Sequence, residues 1–107
     1  MEKIILGLTE KVKINGKEVL AKIDTGASRN SIDMNLATEL NLGPIVRVSK
    51  IRSVHGRTTR PVVQAKLEIK GKKFKALFNL ISRSRMKYKV LIGRRILKQG
   101  FLVDASK

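Results

Sequence analysis

The chain has 107 residues, with 24 Lys and Arg against 8 Asp and Glu, a formal net charge of +16, 42% hydrophobic residues, one His and no Cys. These numbers predict a single domain, residues 1–107, large enough to bury a core without disulfides or a structural metal. They exclude disulfide scaffolds, thiol nucleophiles and Cys-based zinc sites, and a lone His55 supplies no metal cage, so neither metal nor cofactor is expected.

The first apolar run, Ile4, Ile5, Leu6 and Leu8, is too short for a secretory core or a membrane span, which predicts a cytoplasmic protein with no membrane partner. From Thr9 the chain alternates, with Val12 and Ile14 on one side and Lys11 and Lys13 on the other. It then meets Asn15-Gly16 and continues from Lys17 to Ile23. Asn-Gly tolerates the positive φ angles of a two-residue type I′ turn, so this is a β-hairpin. Its second strand runs into Asp24-Thr25-Gly26-Ala27-Ser28, which delivers a carboxylate at a strand end into a turn of small residues.

Asp33 is placed to cap a short helix reaching about Asn41, with Leu36 and Leu40 on one face and Gly43-Pro44 as the stop. Ile45 to Val54 and Arg57 to Ile69 read as two arms of a long basic hairpin turned at His55-Gly56. Pro61 in the returning arm argues for an edge or projecting strand. Gly71-Lys72 turns the chain into Lys73–Ile81, where Phe74, Ala76, Phe78 and Leu80 share a face. After the basic loop 82–87 come a short strand Val90-Leu91-Ile92, Gly93, a helical stretch from Arg94 to Gln99 stopped by Gly100, and a last strand Phe101–Val103. The expected architecture is mostly β, with five to seven strands and one or two short helices.

Asp-Thr-Gly alone is a weak signal, since a strand ending in an Asx-type turn produces it without any function. Here it occurs with an Asn-Gly hairpin upstream, Ala27-Ser28 after it, and Val90-Leu91-Ile92-Gly93-Arg94 followed by a helix and a terminal strand. With these features in this order the chain resembles the retropepsins, single-domain aspartic proteases that work as homodimers. The residues Arg83-Ser84, Met86, Tyr88 and Val90 to Arg95 are most similar to a retropepsin-like group described as ATP-dependent zinc proteases. That group is linked with an ATP-grasp ligase that adds glutamates to a ribosomal protein.

The resemblance implies a closed β-barrel, with the long hairpin as a flap and Leu91-Ile92-Gly93 packed beneath the Asp-Thr-Gly loop. It makes Asp24 the catalytic acid, paired with its symmetry mate, while Thr25 bonds across the dimer and Gly26 admits substrate backbone. It assigns substrate contacts to Ala27, Ser28, Arg29, Val54, His55, Gly56, Arg57 and Arg94. Two features depart from the family pattern. Viral retropepsins carry an acid directly after the loop, paired with the Arg of the Gly-Arg element, whereas this chain has Ser28 and then Arg29, leaving Arg94 without that partner. The flap tip holds Gly56 among His55, Arg57 and Arg60 instead of a glycine-rich apolar tip, which implies a different substrate. The chain offers no phosphate-cradling glycine loop and no clustered ligands to match the ATP and zinc labels, and His55 reads as a turn residue.

Lys70, Lys72, Lys73 and Lys75 straddle a turn and are accounted for by a solvated cationic surface that also protects a strand edge. Arg47, Lys50, Arg52, Arg57 and Arg60 along the flap arms, with Arg29 beside the loop, instead predict a positively charged cleft that attracts an acidic or glutamate-rich peptide. The alternative from another functional class is a non-enzymatic basic dimer that holds RNA or a ribosomal surface through phosphate contacts.

Overall fold

The computed structural model describes residues 2–54 and 56–107. Nine strands and two short helices follow one another as β1 (Ile4–Leu6), β2 (Thr9–Ile14), β3 (Lys17–Ile23), β4 (Asn30–Asp33), α1 (Met34–Glu39), β5 (Ile45–Ser53), β6 (Gly56–Ile69), β7 (Lys72–Ile81), β8 (Val90–Ile92), α2 (Arg94–Leu97) and β9 (Phe101–Val103). No helix among the described residues is long and apolar enough to cross a membrane.

The turn between β2 and β3 has positive φ at both Asn15 (49°) and Gly16 (82°), as a type I′ hairpin requires. Asn15 does more than turn the chain. Its backbone N–H donates to Lys66 O and its side-chain Oδ1 accepts from Lys66 N, both at 2.9 Å, so the hairpin tip is fastened to β6. That fastening continues as Lys13↔Glu68 and Ile14↔Leu67 pairing, which closes the sheet order β2-β3-β8-β4-β7-β6 back onto β2. The result is a six-stranded barrel. Val12, Ile14, Ala21, Ile23, Ile32, Val63, Leu67, Ile69, Phe78, Val90 and Ile92 are buried within its core, and each large aliphatic or aromatic side chain contributes about 1.5–3 kcal/mol.

The hairpin β5–β6 leaves this barrel. Between Gly56 and Pro61, β6 pairs only with β5, and β7 joins it from Val62 onward. Pro61 stands at that departure point, where its missing N–H costs the ladder least. Ser53 pairs with Gly56, and Val54 is 96% exposed at the far end of the projecting arms. His55 lies outside the described residues.

Two strands go beyond the sequence expectation. β1 forms by parallel pairing with β9, Ile4↔Phe101 through Leu6↔Val103, a partner at the other end of the chain. β4 reads as polar in sequence, but Asn30 and Asp33 are buried and satisfied. Asn30 Nδ2 donates to Leu77 O at 3.1 Å, and Asp33 Oδ1 accepts from Arg83 N at 2.7 Å. The other oxygen of Asp33 accepts from Asn35 N and Leu36 N, so the expected helix cap is present. The stop of α1 is corrected. The helix ends at Glu39 and is closed by Asn41 in the left-handed region (φ 55°), with Leu42 N donating to Ala37 O and Asn41 N to Thr38 O, rather than by Gly43-Pro44. The β6–β7 turn likewise falls on Lys70-Gly71, one residue earlier than Gly71-Lys72, because both residues take positive φ. Helix α2 ends at Leu97, two residues short of the expected stretch.

Asp33 thus joins β4, α1 and the start of the loop after β7. The Arg83 N–H, followed by those of Leu36 and Asn35, holds its carboxyl below the usual carboxylate range despite burial. A group so depressed stabilises the fold above its unfolded pKa of about 3.9, and that contribution is lost as pH falls through the lower folded-state value. Asp33→Asn is expected to lower stability at pH 7 by about 1–3 kcal/mol. The gap to the parent protein should narrow below about pH 4, read from urea midpoints across that range.

Candidate active site

The loop 24–29 is positioned by the strand on either side of it. β3 pairs with β8 in parallel through Ile23↔Ile92, and β4 pairs with the other edge of β8 in antiparallel fashion through Ser31↔Leu91. The chain therefore leaves one side of β8, crosses over its end and returns on the other side. Asp24 sits at the start of that crossing, half-buried, its N–H donating to Ile92 O at 2.9 Å. Asp24 Oδ1 accepts from Gly26 N at 2.8 Å, and Ala27 N donates to Asp24 O at 3.2 Å, so the acid is held by its own turn. Thr25 and Gly26 are exposed on the outer side.

Beneath the loop lies Gly93, and the close approach there demands glycine. A Cβ at this position would stand 2.6 Å from Arg29 O and 2.8 Å from Ala27 O. Past Gly93 the backbone of α2 donates upward, Arg94 N to Ala27 O at 2.8 Å and Arg95 N to Ser28 O at 3.1 Å. Gly93 N is itself received by Asn30 Oδ1 at 2.9 Å. The packing expected of Leu91-Ile92-Gly93 is present.

Arg94, which the sequence left without an acidic partner, donates from Nη1 to Thr25 O at 2.9 Å. A backbone carbonyl takes the position of a carboxylate, and the guanidinium still braces the loop. Arg29 Nη1 donates to Ser49 Oγ, which ties the end of the loop to buried Ser49 on β5 of the projecting hairpin. Next to this link is a cavity of about 470 Å³ lined by Ser28 and Arg29 from the loop, Lys50, Arg52 and Arg60 from the hairpin, and Arg95 from α2.

The structure thus brings together Asp24, Thr25, Gly26, Ala27, Ser28, Arg29 and Arg94. Val54, Gly56 and Arg57 stand at the far end of the hairpin and line neither of the cavities that reach Arg29. Arg95, Ser49 and Asn30 were not picked out as site residues. Arg95 could have been found from its place beside Arg94. Asn30 and Ser49 could not, because their roles depend on partners distant in sequence. Among the described residues, no three His, Cys, Asp or Glu side chains converge to hold a metal.

A closed barrel with a strand-end Asp-Thr-Gly loop buttressed by a Gly-Arg element is the architecture of the retropepsin-like aspartic proteases, and solved structures share the fold. A Legionella pneumophila protein of unknown function aligns with a TM-score of 0.70 at 24% identity, covering 97% of this chain and 95% of that one. The simian foamy virus protease aligns at 0.66 and 17%, over 84% and 91%, and EIAV protease in complex with an inhibitor at 0.69 and 22%, over 84% of each chain. The chain belongs to the RimB-like family, whose model, described as retropepsin-like aspartic endopeptidase RimB, matches residues 29–107. The matched span begins at Arg29, the last residue of the loop. No curated protein matches the chain.

Gly93→Ala is expected to push the loop off its support and cost about 1–3 kcal/mol, measured by chemical denaturation. Arg94→Ala removes one exposed hydrogen bond and is expected to cost about 0.5–1.5 kcal/mol in the same measurement.

Proposed function

We propose that the protein is a homodimeric aspartic peptidase in which Asp24 and Asp24 of the partner subunit share a site and cleave acidic, glutamate-rich peptides. The observation that carries this reading is the single carboxylate, held by its turn at a strand end with Thr25 and Gly26 exposed beside it. One carboxylate is half of the required chemistry. Two held close share one proton, leaving one member ionised and the other protonated. The ionised member takes a proton from water as the water oxygen adds to the scissile carbonyl carbon, and the protonated member donates to the carbonyl oxygen. Collapse of the resulting diol breaks the C–N bond, with a proton passing to the leaving amine.

The surface supports a second copy. Ile5 and Leu102 are register partners on one face of the two-stranded β1–β9 sheet, 46% and 53% exposed, while Leu6 and Phe101 are buried in the core. Covering that apolar face is what dimerisation would achieve. Arg29, Arg52, Arg60 and Arg95 around the cavity beside the loop supply forked donors matched to carboxylates, which favours acidic substrates. The resemblance to a group linked with a glutamate-adding ligase agrees with this choice. In this reading Ala27 and Ser28 line the substrate path, and Val54, Gly56 and Arg57 reach substrate when the flap closes.

Asp24→Asn is expected to lower hydrolysis of glutamate-rich peptides by about 10²–10⁴-fold or more, while sedimentation velocity shows the same dimer as the parent. An unchanged rate in that variant, or a parent protein that stays monomeric at all concentrations, sinks the reading. Leu102→Lys is expected to shift the species from dimer to monomer and to abolish turnover with it, followed by sedimentation velocity and the same assay.

A further inference from the structure

The outward positions of β2, β6 and β7 carry Lys13, Lys66, Lys73 and Lys75, with Glu68 the one carboxylate among them. Their register is mixed: Lys13 and Lys73 both stand opposite Glu68, while Lys66 stands directly opposite Lys75, where like charges repel. Lys70 and Lys72, beside them in sequence, are occupied. Lys70 makes the only ion pair among the described residues, with Glu10 at 3.3 Å, and Lys72 donates to Gln99 O while lying over the Phe74 and Phe101 rings. Lys13, Lys66, Lys73 and Lys75 have no such role in the fold. They surround a depression of about 410 Å³.

That depression is the first of a chain of three. Lys75 also lines a second cavity, of about 160 Å³, with Arg47, Arg29 and Arg95. Arg29 and Arg95 in turn line the 470 Å³ cavity beside the active-site loop. Every charged residue that lines these three adjacent cavities is a cation except Glu68. The path they make begins on the outer wall of the barrel and ends at Ser28, in the same loop as Asp24.

We propose that this path is an exosite that binds the acidic stretch of a polypeptide substrate lying outside the bond being cleaved; the proposal rests on the peptidase reading above. The longest dimension of the molecule is 38 Å, so an extended segment of about eleven residues, at roughly 3.4 Å each, is long enough to span any face of it. A peptide fits the path better than a nucleic acid does. The path ends beside the loop that carries Asp24, and its one lining aromatic, the half-buried Phe74, leaves little for a base to stack on. Phe78 is fully buried, Phe74 and Phe101 pack on each other at 5.9 Å, and Tyr88 is covered by Lys87. Lysines spaced along the strands suit a succession of flexible carboxylates, while the arginines nearer the loop fix the last of them.

The experiment measures binding without turnover. In the Asp24→Asn protein, the affinities of fluorescent peptides of four and of twelve glutamates are compared by anisotropy, before and after Lys13→Gln, Lys66→Gln and Lys75→Gln are added together. A control carries Lys22→Gln, Lys87→Gln and Lys98→Gln, with the same net charge. The preference for the twelve-glutamate peptide over the four-glutamate peptide is expected to fall about tenfold in the first variant and to persist in the control. An equal loss in both variants reduces the path to the general field of the molecule and overturns the proposal, as does an unaltered preference or no binding by the Asp24→Asn protein. Tighter binding of a single-stranded RNA of equal charge, lost in the same lysine variant, reassigns the face to nucleic acid. Because none of these readings requires cleavage, a parent enzyme that fails to hydrolyse the peptides counts against the peptidase reading separately.

Discussion

The contact on which the site depends is between Gly93 and the backbone of the 24–29 loop. A strand-end Asp-Thr-Gly turn has few contacts of its own, and its exposed residues would sample many conformations. Here the carbonyls of Ala27 and Ser28 accept from the first two N–H groups of α2, and the carbonyl of Arg29 sits where a side chain at Gly93 would be. Helix donors that usually face solvent or a cap are used to fix the loop. Asn30 completes the clasp by receiving Gly93 N with one end of its amide and giving to Leu77 O with the other, so loop, helix start and barrel wall move as one body. Asp24 is held in place by main-chain geometry rather than by neighbouring charge.

Charge is distributed by a different logic. Most of the cations are placed where they contribute little to folding, and the carboxylates that the chain has are used locally: Glu10 on Lys70, Asp33 on three backbone N–H groups, Asp104 in its own turn with Ser106. The remaining positive field is not neutralised within the protomer. The fold tolerates this self-repulsion because the barrel core is apolar and closed.

Much of this was legible from local sequence. Asn15-Gly16, the alternation around Val12 and Ile14, and Pro61 each act through their own backbone preferences, so the hairpin and the projecting arm could be drawn without tertiary information. The Asp-Thr-Gly loop and the Gly93-Arg94 element were legible as a pair by resemblance. What escaped was decided at long range. Asn30-Ser31-Ile32-Asp33 looks like a polar turn until Leu77, Arg83 and Gly93 supply its hydrogen-bond partners. Ile4 to Leu6 looks like a stray apolar run until β9 arrives. Arg94 has no side-chain acid beside it in the sequence pattern, and its partner is a main-chain carbonyl that no pattern of residue types announces.

The β1–β9 pair joins Ile4 to Phe101 and Leu6 to Val103, so almost the whole chain lies between its two strands. Such a ladder cannot form during synthesis until residues 101–103 exist, and it carries the cost of closing the longest loop in the fold. The apolar face bearing Ile5 and Leu102 is therefore completed last. A nascent chain that already contains the whole Asp-Thr-Gly loop still lacks this apolar face, so the loop is made well before the surface at the joined ends of the chain.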